Sequence, residues 1–245
     1  MSDTLIVRNL TVRPVNAPLA EPVRTASGDI LTAPLVLLDL QTEEGVVGRS
    51  YLRCISQDVL EPLALLTAGM GAVLEGRRGR PGDLSEFLRS RYRLLGLGGL
   101  VGMAIGGIDM AAWDAAARSR DASLLHLLGA EPVPVDAYAS FGMLDPATAA
   151  ARSGAAVDLG YRGIKVKLGF PDVAQDEAVL RAIRGGNARH ACVQPRLSGN
   201  QRPASRRNAR AALARIPGHG EPRTARARAH RWRTVRLPRP AGHGA

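Results

Sequence analysis

From Val133 to Arg184 the chain alternates strand and helix with short links: 133–140 and 163–168 read as strands, 146–159 and 173–184 as helices. Parallel strands joined by crossover helices build a sheet that closes only when about eight such units are present. Two units cannot close a sheet alone. Its second strand, Gly163-Ile164-Lys165-Val166-Lys167-Leu168, poses a chemical question. Side chains alternate along a strand, so Ile164, Val166 and Leu168 point to one face and both ammonium groups to the other. A solvated edge guarded by lysines would account for this. So would a pair aimed at a ligand.

Upstream the pattern is segregated, strands first and helices after, which indicates an α+β domain over residues 1–130. Residues 5–16 alternate as a strand, with Pro14 marking a bend or an unpaired edge position. Residues 33–41 and 46–52 form a hairpin through Thr42-Glu43-Glu44-Gly45. Helices follow at 57–74, from Asp83 to Leu95 with Asp83-Leu84-Ser85-Glu86 as a capping box, at 103–119, and at 123–128 before Gly129. The glycine-rich LGLGGLVG at 95–102 lacks the Lys-Ser/Thr ending of a phosphate loop and reads as a turn. Asp109 and Asp114 are five residues apart and fall on different helix faces, so packing and hydrogen-bonding roles are expected rather than paired catalysis. Trp113 reads as a core anchor and His126 as a structural histidine near a helix end.

The pattern fails after Arg184. The whole chain carries +11, yet residues 185–245 hold fourteen arginines, no lysine and one acid, Glu221, a net +13, so residues 1–184 carry −2. This segment is rich in Ala, Gly and Pro, has one aromatic, Trp232, and shows no sustained period, so we expect it to be disordered. It would hold nucleic acid nonspecifically, since no stacking series is present. A shifted reading frame near Gly185 would explain the change. Two cysteines, no signal-like start and no apolar run near 20 residues lead to an expected cytoplasmic protein with free thiols and no membrane span.

Three segments, APLVLLDLQTEEGVVGRSYL at 33–52, GIDMAAWDAAAR at 107–118 and GIKVKLGF at 163–170, stand in an order and spacing that resembles the mandelate racemase/muconate lactonizing enzyme family of the enolase superfamily, mandelate racemase-like members in particular. The resemblance runs over residues 3–184. It implies an α+β N-terminal capping domain followed by a (β/α) TIM-type barrel, of which 131–184 would be the first two βα units and 185–245 a basic tail. It also implies a Mg²⁺-assisted reaction in which a base takes the proton α to a carboxylate, leading to racemisation or acid-sugar dehydration.

By the same correspondence Lys167 is the base and Lys165 its charged neighbour, which disfavours the protonated form and touches the substrate carboxylate. Ser140 matches a substrate-contacting serine, and Val23 and Ile30 match apolar positions on a loop that covers the ligand. Ile55 stands where the racemase has an aromatic lid residue, so mandelate-type specificity does not carry over. The family's three carboxylate metal ligands and its His/Asp dyad have no counterpart, so no metal ligand is assigned and the chain is expected to be truncated and inactive. The implied partners are a small carboxylate, an α-hydroxy acid or acid sugar, and further copies of the chain. Two other classes remain open: a non-catalytic capping-domain protein that docks through exposed half-barrel surface, and a nucleic-acid binder acting through the basic tail.

Overall fold

A computed structural model of the chain describes residues 4–185 and 190–194. The chain forms two compact units: one comprises the residues up to Glu21 together with Leu31–Pro132, the other Pro22–Ile30 together with the residues from Val133 onward. The units divide between Pro132 and Val133, and nine residues of the first hairpin, Pro22–Ile30, group with the second unit.

In the first unit, β1 (Leu5–Thr25), β2 (Gly28–Thr42), β3 (Val47–Arg53) and the short β4 (Arg78–Gly79) form a sheet in the order β3-β2-β1-β4. β1 is longer than the expected 5–16. Pro14, Pro18 and Pro22 are spaced evenly, so their missing N–H groups all fall on one edge. β4 pairs with β1 only at Leu5 and Ile6. Gly45 turns β2 into β3 with a φ of 79°, its N–H donating to the Thr42 carbonyl at 3.1 Å.

Alternate residues of β2, Val36, Leu38 and Leu40, face a core completed by three helices. These are α1 (Leu60–Leu74, after a single 3₁₀ turn at Gln57–Val59), α2 (Pro81–Arg91) and α3 (Gly99–Arg118). α3 crosses β3 so closely that a Cβ on Gly48 would overlap the Ala111 carbonyl oxygen and lie 2.7 Å from the Ala115 Cβ. The alanines of GIDMAAWDAAAR supply that flat surface: Ala111, Ala112 and Ala115 are fully buried.

Two helix starts differ from expectation. α2 begins at Pro81, and Asp83 is its third residue, whose carboxylate accepts the Arg80 N–H at 3.0 Å; proline is pre-set for a first helical turn. The helix ends at Arg91, with a separate 3₁₀ turn at Arg93–Leu95. α3 begins at Gly99, inside the glycine run, because Leu100, Val101 and Met103 pack on the core and tertiary contact outweighs glycine's poor propensity. Among the described residues α3 alone is long and apolar enough to cross a membrane, and half of its most apolar window is buried. The four-residue α4 (Leu124–Leu127) follows, capped by the Ser123 hydroxyl.

In the second unit β5 (Tyr138–Phe141), β6 (Gly163–Lys167) and β7 (His190–Gln194) make a parallel sheet with β6 in the middle. β5 starts five residues later than Val133, since Pro132 and Pro134 offer no N–H to a ladder. The links are α5 (Pro146–Asp158) and α6 (Val173–Gly185). Ile164, Val166 and Leu168 pack against Ala149, Ala156, Val179, Leu180 and Ile183, a core separate from the first. β7 corrects the expectation of disorder throughout 185–245, and it adds a third strand to the two anticipated. An open parallel edge on β6 can be paired by any extended segment through main-chain groups alone, so composition did not reveal it. Residues 195–245, the rest of the expected tail, lie outside the described residues.

Candidate functional site

β6 separates apolar from charged side chains as the alternation requires: Ile164 and Val166 are 1% and 0% exposed, whereas Lys165 and Lys167 are half-buried on the opposite face. Ser140 is the register partner of Lys165 in the parallel β5–β6 pair, so the hydroxyl and both ammonium groups share a face. Neither ammonium has a hydrogen-bond or ion-pair partner among the described side chains. Arginine dominates everywhere else: of 33 basic residues, Lys165 and Lys167 are the only lysines in the chain. This signal was available in the sequence and owes nothing to motifs. A guanidinium does not release its proton in a protein, whereas an amine can.

The ends of these strands are held by carboxylates that spacing did not single out. After β6, the Asp176 carboxylate accepts N–H bonds from Gly169 at 3.0 Å and Phe170 at 3.3 Å, fixing the turn directly beyond Lys167. After β5, Asp145 caps α5 by accepting from the Thr148 amide at 2.9 Å and the Thr148 hydroxyl at 2.6 Å. Those bonds, the hydroxyl's first, hold the Asp145 carboxyl below the usual carboxylate range. A cavity of about 370 Å³ opens at the first turns of α5 and α6, lined by Pro146, Phe170, Ala174 and Val179, with Asp145 and Asp172 among its walls.

The β1–β2 hairpin tip belongs to this unit. The Arg24 carbonyl accepts the Met143 N–H at 2.9 Å, just past the end of β5. A Cβ at Gly142 would sit 2.9 Å from the Arg24 oxygen and 3.3 Å from Val23 Cγ1, so glycine permits the approach. The tip is fastened internally by Thr25, whose hydroxyl donates to the Gly28 carbonyl at 2.7 Å, and by an Arg24–Asp29 ion pair at 3.5 Å. Val23 thus lies beside the strand end that carries Ser140, and Ile30 is half-buried at the other side of the tip. Ile55, in the first unit, is 98% exposed.

The acids of α3 serve packing and hydrogen bonding. Asp114 accepts the Arg49 N–H at 2.8 Å and the Arg118 Nε–H at 2.7 Å, joining helix to sheet. Burial pushes the Asp109 carboxyl above its usual range, opposed by hydrogen bonds from Ser85 and Trp113 and by the Arg89 charge. His126 meets the Ser123 hydroxyl at 3.1 Å through Nδ1 and Glu131 at 3.6 Å through Nε2, an exposed set around a helix cap.

Residues 7–129 match the family model of the mandelate racemase/muconate lactonizing enzyme N-terminal domain. The chain belongs to the mandelate racemase/muconate lactonizing enzyme family. Among solved structures it is similar to an enolase from Bradyrhizobium complexed with magnesium and mandelic acid, at 38% identity and a TM-score of 0.78 over 87% of this chain and 60% of that one. An enolase from the alphaproteobacterium bal199 with bound magnesium is 32% identical, with a TM-score of 0.74 over 86% and 59% of the two chains. A dipeptide epimerase from Enterococcus faecalis V583, complexed with magnesium and a dipeptide, shares the fold at 23% identity and a TM-score of 0.71 over 85% and 58%. The chain thus spans about 60% of the length of these relatives.

Magnesium is a recurrent companion of the family, and it demands several oxygen ligands in near-octahedral array. Among the described residues no three His, Cys, Asp or Glu side chains come together. Asp145 and Asp176 are occupied with backbone N–H groups, and residues 186–245 contain a single carboxylate side chain, Glu221. The donor set does not fit a magnesium site.

Proposed function

We propose that the chain carries the proton-abstracting side of a mandelate racemase-type site acting on a small carboxylate, an α-hydroxy acid or acid sugar, by racemisation or dehydration. Lys167 stands as base toward the hydrogen on the carbon α to the carboxylate, Lys165 pairs with the carboxylate, Ser140 adds a hydrogen bond, and Val23 and Ile30 cover the apolar side. The observation that carries this reading is the pair of half-buried ammonium groups, without partners among the described side chains, on the sheet face that also holds Ser140. Negative charge that develops on the substrate oxygens must be offset in the transition state, and two lysines without a metal do so incompletely. On its own, therefore, the chain binds such acids and does not turn them over. A cytoplasmic setting is part of the same reading, and a shifted reading frame near Gly185 accounts for the missing carboxylates.

Reductive ¹³C-methylation labels only Lys165, Lys167 and the N-terminal amine, so ligand binding can be read by NMR. Mandelate or gluconate should shift both lysine signals, and no deuterium should enter the α position of mandelate in D₂O. Absence of any shift overturns the assignment of the face to carboxylates. Deuterium incorporation by the purified chain overturns its inactivity, and a downstream frame with no strand ending in Asp or Glu overturns the frameshift.

A further inference from the structure

We propose that the Lys165–Lys167 face is a carbonyl-trapping site: Lys167 condenses with the 2-oxo group of a small 2-oxo carboxylate while Lys165 pairs with its carboxylate. The inference rests on the reading of this face as a carboxylate site and gives it a second chemistry. Two observations converge. The chain uses arginine for cation after cation and lysine only here, which points to a need for a nitrogen with an available lone pair. Both amines are half-buried, share one face and lack an acidic partner among the described side chains. A lysine beside another cation in a partly desolvated setting is an established route to an amine nucleophile.

The geometry suits a ligand with adjacent carbonyl and carboxylate groups. Residues two apart on a strand have Cα atoms about 6.6 Å apart, and the flexible stems let both nitrogens reach neighbouring atoms of one small molecule. Ser140, level with Lys165, places a hydroxyl where the carboxylate would lie. In the step itself the Lys167 nitrogen lone pair attacks C2 and the C2–O π electrons move to oxygen. A proton passes from that nitrogen to the oxygen to give the carbinolamine, whose hydroxyl takes a proton from solvent and leaves as water, so that the C=N bond of a protonated imine replaces the C=O bond. No oxidant, reductant or metal is consumed, which matches a donor set that does not hold magnesium.

Borohydride reduction freezes the imine as a secondary amine, and peptide mapping by mass spectrometry locates it unambiguously, since only two lysines and the N-terminal amine can react. With pyruvate as the probe, the full-length folded chain should carry the adduct on Lys167 at least tenfold above its level in urea, and at least tenfold above that given by acetone, which lacks the carboxylate. Lys167→Arg should abolish it while leaving the circular dichroism spectrum unchanged, and Lys165→Gln should bring pyruvate down to the acetone level. Equal labelling of folded and unfolded chain, equal labelling by acetone, or an adduct that persists on Lys165 in the Lys167→Arg variant would overturn the proposal. Mandelate separates the two readings. It should compete with pyruvate for the face; trapping indifferent to mandelate sinks the proposed function and leaves the imine, whereas shifts with mandelate and no adduct sink the imine alone.

Discussion

At the scale of single residues, buried polar groups give the sharpest expectations. The Ser153 hydroxyl on α5 is wholly buried and has no hydrogen-bond partner among the described residues. A buried hydroxyl left without a partner pays its full desolvation cost, so Ser153→Ala should raise stability by about 1 kcal/mol, seen as a higher urea midpoint at constant m-value. Asp109 tests the opposite sign of argument. Its carboxyl is raised above the ordinary 3.8 by burial, so its contribution favours the folded state below that pH and is lost as pH rises through the raised value. Asp109→Asn removes this dependence: the stability of the variant relative to the parent chain should climb from pH 3 to pH 7 in urea titrations. The site residues were legible to different degrees. Lys165, Lys167 and their shared face followed from period 2 alone. The positioning role of Asp176 did not, because a carboxylate seven residues beyond Gly169 bonds to that turn only once α6 folds back.

At the scale of elements, close approach rather than propensity decides. Gly48 lets α3 lie directly on β3, so Gly48→Ala should destabilise the first unit by about 2 kcal/mol through overpacking, measurable as a loss in thermal midpoint with the fold retained. Asp176→Ala should free the Gly169–Phe170 turn and weaken carboxylate-induced shifts of the Lys167 signal several-fold, with a smaller change at Lys165. The strands and helices that alternation and capping signals marked are present, but their ends moved. α3 starts four residues early because Leu100 and Val101 find a core, and β5 starts late because two prolines precede it. β7 was illegible, since five residues with main-chain pairing as their visible support offer too little pattern to count.

At the scale of the whole molecule, charge and connectivity diverge. Removing residues 195–245 takes away thirteen arginines and one acid. Affinity for a polyanion such as heparin should therefore fall to that of a near-neutral protein, and the retention of the full chain should drop steeply with salt, as stepwise elution would register. The α+β character of the first unit and the parallel start of the second were readable because each repeats its period over many residues. The allocation of Pro22–Ile30 was not, since it depends on which partner a hairpin tip meets in space.

That allocation sets a rule for recombination between relatives. A chimera joined at residue 130 would keep the tip of one parent while exchanging the Gly142–Met143 segment it rests on. Shuffled libraries should therefore transplant codons 22–30 as cargo with the C-terminal parent, since the tip and the strand end that seats it would otherwise come from opposite sides of the cross.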